Sequence, residues 1–396
     1  MASDHAQLEQ AIAEVLDPEL GLALGQVEMV RQVRVKRHRA AVSLALPVSA
    51  WPEVEALIAG VRAAGTRVPG IDEVTVETVV MDDAERRSLR ERLRMLMAGG
   101  DDEDAGDGAP GHDHGAPGHD HGGHAQGATP TPAFLGATSK TRVVGISSGK
   151  GGVGKSSVTV NLAVALARAG YAVGVLDADV YGFSVPKMLG AERDPIVLGD
   201  LVLPTAVHGV RCLSMGFFVP DDQPVIWRGP LLHKAIEQFL GDAYWGTPDF
   251  LLVDMPPGTG DVTLSLASVM PRAEVLVVTT PQPAAQRVAQ RSAFAARKLK
   301  LSVRGVIENM SWFTGDDGTR YELFGAGGGA SLATELGVPL LGSVPFVPAV
   351  RVGGDEGRPV LVAEPEGEAA LAFVALADRL AALGPARRYR RELSLR

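Results

Sequence analysis

The chain has 396 residues, a formal net charge of -9 and 46% hydrophobic residues, enough apolar material for two domain cores and too much for a chain disordered throughout. The acidic balance opposes non-specific binding to nucleic acid, no window approaches the roughly 18 uninterrupted apolar residues of a membrane span, and Met1-Ala2-Ser3-Asp4-His5 lacks the basic-then-apolar order of a secretory signal. A single cysteine, Cys212, excludes an intrachain disulfide and restricts thiolate metal chemistry. The expectation is a cytoplasmic protein with no nucleic-acid or membrane partner.

In chain order, an amphipathic helix over 7–16 is punctuated by Asp17-Pro18-Glu19-Leu20-Gly21. Strand patterns follow over 27–35 and 41–46, then a helix over 52–64 and an alternating strand over 74–80. This is a small α+β domain spanning 1–97. Its order of elements and the run Leu16-Asp17-Pro18-Glu19-Leu20 resemble the small domains of iron-sulfur assembly factors. Members of that family often carry a cysteine before the second helix, where this chain reads Leu46-Pro47-Val48-Ser49-Ala50-Trp51-Pro52. Asp17 and Glu19 are equally well explained as turn residues. Arginines cluster over 31–39 and at Arg86, Arg87, Arg90, Arg92 and Arg94; Arg86, Arg90 and Arg94 share one helical face beside Glu85 and Glu91, which reads as a solvated face.

Residues 98–138 break every pattern. An acidic run, Asp101-Asp102-Glu103-Asp104, precedes a tandem heptad in which Ala-Pro-Gly-His-Asp-His-Gly occurs at 109–115 and again at 116–122. Glycine and polar residues make this a flexible linker without a core. Five of the nine histidines lie here, and His-Asp-His spacing suits zinc, nickel or copper. A solvated repeat without ligands explains the same sequence and meets no ordering cost.

The most informative stretch is Gly149-Lys150-Gly151-Gly152-Val153-Gly154-Lys155-Ser156-Ser157, lying between an apolar strand over 143–146 and a helix over 158–168. It fits G-x-x-x-x-G-K-[ST], in which glycines let backbone amides close around phosphates, a lysine reaches the terminal phosphates and a hydroxyl ligates magnesium. Lys155 and Ser156 take those two roles. A plain glycine turn accounts for Gly151 and Gly154 but not for Gly-Lys-Ser at a helix start. Lys150 would crowd Lys155 on one phosphate and is assigned to a neighbouring molecule's nucleotide. Further strands over 172–176, 250–253, 274–279 and 303–307 and a helix over 284–298 predict a mainly parallel sheet flanked by helices, with ligands at the carboxyl ends of its strands. Asp177, Asp179 and Asp254 fall at those ends, where aspartates hold magnesium or orient an attacking water. The predicted fold class is therefore an α/β P-loop NTPase over 139–385, preceded by the small α+β domain and followed by a basic tail over 386–396.

The loop is similar to the deviant phosphate loop of MinD/ParA-type ATPases. Together with Asp177-Ala178-Asp179-Val180-Tyr181-Gly182, Trp227-Arg228-Gly229-Pro230, the run from Asp254 to Asp261 and Glu308-Asn309-Met310-Ser311, it resembles the Mrp/ApbC family of iron-sulfur cluster carrier ATPases. The resemblance implies a magnesium-dependent, ATP-hydrolysing homodimer that sandwiches two nucleotides and serves iron-sulfur assembly proteins or apoprotein clients. It implies catalytic roles for Lys150, Lys155 and Asp179, with Lys150 entering the partner's site and Asp179 positioning the water. It also implies phosphate contacts along 149–157, magnesium support by Ser156, Asp177 and Asp254, a switch beginning at Asp254, and an adenine contact by Asn309.

Carriers of that family commonly place a C-x-x-C pair after the asparagine, for a cluster bridging the dimer. Here Thr314 and Asp317 stand at those positions, and hydroxyl and carboxylate are hard ligands ill-suited to a cluster. Cys212, in Val210-Arg211-Cys212-Leu213-Ser214-Met215, reads as a buried strand residue. An iron-sulfur cluster is thus possible as cargo, but not by the usual ligands. The competing expectation is a MinD- or ParA-like positioning ATPase acting at a membrane or DNA surface, for which the tail with five arginines over 386–396 is the one feature and a solvated tail the plainer reading.

Overall fold

The structure, a computed structural model, describes residues 2–98, 134, 136, 139–179, 182–218, 229–258 and 260–385. The histidine repeat, Val180-Tyr181, Trp227-Arg228 and the arginine-rich tail lie outside the described residues. The chain divides into two units between Gly136 and Ala137.

In the first unit, α1 (Ala2–Ala13) precedes an antiparallel pair, β1 (Val30–Lys36) and β2 (Arg39–Leu46). After α2 (Val54–Thr66), β3 (Glu73–Val80) joins β2 in parallel, giving the order β1-β2-β3. Period-two burial on β2 turns Ala40, Val42 and Leu44 into the core, which Leu8 and Ile12 of α1 and Leu57 and Val61 of α2 complete. The first helix ends at Ala13 rather than 16, and Leu16 is 62% exposed. The cause is Asp17: its buried carboxylate accepts the Glu19 and Leu20 amides at 3.0 and 2.7 Å and the Trp51 indole N–H at 2.9 Å, pulling the chain into a turn. Glu28 is left-handed at φ 49, so β1 starts at Val30 instead of 27. Helix α3 (Asp83–Met97) opens with a capping box between Asp82 and Glu85 and buries Leu89, Leu93 and Met97. Its arginine face is half-buried: Arg86 donates to the Met81 carbonyl at 2.8 Å and to Asp83, while Arg31 pairs with Glu85.

The second unit opens with β4 (Arg142–Ser148), α4 (Lys155–Arg168), β5 (Val173–Asp177) and α5 (Val185–Leu189). Four short strands follow: β6 (Ile196–Leu198), β7 (Leu201–Leu203), β8 (Thr205–Val207) and β9 (Val210–Ser214), the last leading into a 3₁₀ turn, Met215–Phe218. Next come α6 (Gly229–Gly241), β10 (Phe250–Asp254), α7 (Asp261–Val269), β11 (Glu274–Thr279), α8 (Pro283–Lys298) and β12 (Ser302–Glu308). The chain then forms the hairpin β13 (Phe313–Thr314) and β14 (Arg320–Tyr321), α9 (Gly328–Leu336), β15 (Leu340–Ser343), α10 (Pro348–Asp355), α11 (Val360–Ala363) and α12 (Glu368–Ala382).

Eight strands form one sheet in the order β15-β12-β11-β4-β10-β5-β9-β8, parallel except for β8 against β9. Every residue of β4, β5, β10 and β11 is buried, as a sheet covered on both faces requires. Val144, Val175, Leu252 and Leu276 face a core shared with α4 and α12. Gly145 faces the other way, where an added methyl would meet Met255 and Leu266 of α7. The mainly parallel, helix-flanked α/β fold expected from the strand–helix alternation is the one observed.

Candidate functional site

The site is assembled along the carboxyl edge of β4, β5, β10 and β12. Beyond Ser148 the chain passes over the glycine loop into α4, and two glycines there are enforced by packing. A Cβ on Gly149 would lie 2.2 Å from the α8 backbone at Val288 and Ala289. Gly154 is left-handed at φ 80, and a Cβ on it would lie 2.2 Å from the Asn309 amide nitrogen. Val153 buries its side chain in the core while its carbonyl accepts the Asn309 Nδ2–H at 2.9 Å. No side chain caps the N-terminus of α4, so its first amides remain free to meet an anion at the positive end of the helix. The loop borders a cavity of about 860 Å³, lined by 150–157 and by Asp179 but not by Gly149, which faces α8 instead.

Beneath the loop, Asp254 ends β10 with no exposure to solvent. Its Oδ2 accepts Ser156 Oγ–H at 2.6 Å and Lys155 Nζ at 2.7 Å, and its Oδ1 accepts Thr159 Oγ1–H at 2.7 Å. Lys155 is itself 6% exposed and lies 3.4 Å from Asp179. An ammonium this deep is stable only against carboxylates, and it stands where a phosphate-bound cation and the phosphates themselves would compete for it. The Ser156 hydroxyl and the Asp254 carboxylate are hard oxygen donors side by side, a set that fits magnesium.

Asp177 and Asp254 are register partners on β5 and β10. Burial, reinforced by the Asp254 charge, pushes the Asp177 carboxyl up to about 7. Its oxygens are turned onto protein donors: Oδ1 accepts the Asp179 amide at 3.2 Å, while Oδ2 accepts the Ser184 and Val185 amides, each at 3.2 Å, and Ser214 Oγ–H at 3.1 Å. Asp177 therefore braces the turn that carries Asp179 and the start of α5, and it does not join Ser156 in a common donor set. Among the described residues no cluster of three histidines, cysteines or acids is arranged to hold a metal.

The far wall of the cavity is apolar, with Met310, Phe346 and Pro348 beside Asn309. Lys150 lies at the near rim, half-buried, donating to Gln282 Oε1 at 3.3 Å. Cys212 is fully buried in β9, and burial, with the Asp177 charge, raises its thiol well above the ordinary range. In the β13–β14 hairpin, Thr314 Oγ1 donates to Glu368 Oε2 at 2.8 Å, and Asp317 accepts the Thr319 amide and hydroxyl at 2.9 and 2.8 Å.

Three contributors were not picked out from the sequence. Thr159 lies four residues after Lys155, one helical turn along, and that spacing was a usable signal. Ser214 ends a strand in register with Asp177, and Gln282 precedes α8; neither has a local signature.

The chain matches two families: the NUBPL iron-transfer P-loop NTPases over 139–381, and the iron-sulfur cluster assembly proteins over 5–78. It is 40% identical over 377 residues to an iron-sulfur cluster carrier protein of Mycobacterium leprae, covering 93% of this chain and 91% of that one. An iron-sulfur cluster carrier protein of Synechocystis is 38% identical over 374 residues, covering 93% and 94%. Among solved structures, a nucleotide-binding protein from Archaeoglobus fulgidus in complex with ADP superposes with a TM-score of 0.50 at 34% identity, covering 57% of this chain and 89% of that one.

Proposed function

The chain belongs to the family of NUBPL-type iron-transfer P-loop NTPases, with an iron-sulfur cluster assembly domain ahead of it, and from that premise we propose that it is a magnesium-dependent, homodimeric ATPase. Its hydrolysis serves iron-sulfur cluster assembly or transfer to apoproteins. The observation that carries this reading is the convergence of Lys155, Ser156 and Thr159 on one buried carboxylate, Asp254, directly beneath an uncapped helix N-terminus.

The loop amides from Gly151 to Ser156 take the phosphates of ATP, and Asn309 with the apolar wall takes the adenine side. Lys155 then exchanges Asp254 for the phosphate oxygens. Ser156 and Asp254 would hold magnesium, with Asp177 supporting the site at one remove through the Asp179 turn. When bound, that cation would supply positive charge against the phosphates. Asp179, 3.4 Å from Lys155, orients the attacking water. Lys150, already at the rim, reaches the nucleotide of the second subunit, so that hydrolysis requires the dimer.

The cluster is cargo, and this chain's residues do not fit it. The one cysteine is buried and protonated, and Thr314 and Asp317 are engaged within the protein. The cluster thiolates accordingly belong to a client or scaffold protein. Phosphate release by the purified full chain, with and without magnesium, tests the ATPase: wild type turns over ATP only with magnesium, and turnover unchanged in Lys155→Ala would overturn the site. Anaerobic reconstitution with iron and sulfide tests the cargo reading, which a stoichiometric, oxygen-sensitive chromophore on this chain alone would refute.

A further inference from the structure

We propose that Ser214 is a positioning residue for the hydrolytic step, acting through Asp177 to fix Asp179 beside Lys155; the inference rests on the ATPase reading above. Asp179 meets the cavity from a turn with little regular structure of its own, between the end of β5 and the start of α5. Besides the backbone bonds Gly182 N–H to the Asp179 carbonyl at 3.1 Å and Ala178 N–H to the Asp254 carbonyl at 3.0 Å, one carboxylate reaches both sides of that turn. Asp177 Oδ1 fixes the Asp179 amide, and Asp177 Oδ2 fixes the Ser184 and Val185 amides at the start of α5. The Asp179 amide and the Ser184 and Val185 amides are thus held by the same side chain.

What orients that side chain is Ser214. It is the last residue of β9, the strand hydrogen-bonded to β5, and it is the register partner of Asp177. Its hydroxyl donates to Asp177 Oδ2 at 3.1 Å while its oxygen accepts the Gly216 amide at 3.0 Å. The hydroxyl is buried and committed as both donor and acceptor, so its direction is fixed. Gly216 is the second residue of the 3₁₀ turn beyond β9, and Phe183 packs against it, since a Cβ there would lie 3.0 Å from the Phe183 ring. Ser214 therefore joins three segments: the Asp179 turn, the start of α5 and the turn after β9. Alanine would remove one donor from Asp177 and orphan the Gly216 amide, letting the carboxylate rotate and the Asp179 turn loosen. The phosphate loop, Lys155 and Asn309 make no contact with Ser214 in this network, so nucleotide binding is spared while the geometry of the water is not.

The test uses the full chain with MgATP. Ser214→Ala is expected to lower kcat about tenfold, equivalent to about 1.4 kcal/mol in the barrier, with KM for ATP and ADP affinity changed by less than about twofold. Ser214→Thr keeps the hydroxyl and is expected to restore most of kcat. Should Ser214→Ala not fold, Ser214→Cys keeps a group at the hydroxyl position with a weaker donor and slightly larger volume, and carries the same expectation. Wild-type kcat in Ser214→Ala or Ser214→Cys would overturn the proposal. So would a loss in which KM rises in step and Ser214→Thr does not rescue, because that is general damage to the fold. Lys155→Ala in the same assay separates the two levels: if it hydrolyses ATP normally, the ATPase reading fails; if it is dead while Ser214→Ala is unimpaired, only the role of Ser214 fails.

Discussion

At the carboxyl edge of the large sheet Asp254 is buried against Lys155 at 2.7 Å, and at the amino edge Glu274 is buried against Arg142 at 2.6 Å. Both acids sit on central strands of the sheet, at 0% and 3% side-chain exposure. Their cations differ. Arg142 has a rigid fork that also donates to the Leu380 carbonyl at 2.6 Å and lies 5.2 Å from the Phe250 ring centre, while Arg304 lies 3.7 Å from Glu274 and donates to the Leu383 and Gly384 carbonyls at 3.1 and 3.0 Å. Two guanidinium groups thereby cap the end of α12, and nothing in that arrangement can leave without stranding a buried charge. Lys155 is a point charge on a flexible stem lining a cavity, and on the proposed function its pair is exchanged for a phosphate. The same sheet thus carries a permanent ion pair at one end and a replaceable one at the other, and the choice of arginine or lysine distinguishes them.

Breaking each pair should give opposite losses. Lys155→Ala is expected to reduce ATP hydrolysis at least about 10³-fold, since it removes the cation that meets transition-state charge, with a smaller stability cost of about 1–3 kcal/mol because Ser156 and Thr159 still donate to the buried Asp254 carboxylate. Glu274→Ala should do the reverse, costing about 3–5 kcal/mol of stability in a denaturant titration because two arginines are left uncompensated. Hydrolysis per folded molecule should then stay within about twofold, the sites lying at opposite edges of the sheet. Lys150→Ala sharpens the comparison: hydrolysis should fall about tenfold to a hundredfold, whereas ATP binding to the monomer, read by calorimetry, should change less than about threefold. Thr159→Val, which deletes one donor to Asp254, is the mildest, at about 1–2 kcal/mol of stability with a correspondingly small drop in nucleotide affinity.

The contrast also explains what could be read in advance. Residues 149–157 form a contiguous string whose spacing states its chemistry, and the strand–helix alternation after it implied the parallel sheet. Asp177 and Asp254 stand out because each follows an apolar run, and Asp179 lies two residues beyond the first. Their division of labour was not legible, for it depends on register: the pairing of Asp177 with both Asp254 and Ser214 exists only once β10, β5 and β9 lie side by side. Ser214 ends the last of four strands of three to five residues over 196–214, too short for a periodic signal. The Glu274 cluster was hidden for a related reason, since Arg142 on β4 and Arg304 on β12 are distant in sequence and converge only on Glu274 of the strand between them. In the small unit the helix end moved from 16 to Ala13 because the buried Asp17–Trp51 bond outweighs helical periodicity at Val15 and Leu16.

The most direct measurement is a crystal structure of the full chain with magnesium and a non-hydrolysable ATP analogue. The account predicts the triphosphate along the amides of 151–156, with Lys155 Nζ moved from Asp254 onto it and Arg142 still bound to Glu274. A filled cavity with Lys155 still on Asp254, or a nucleotide bound elsewhere on the chain, would contradict it.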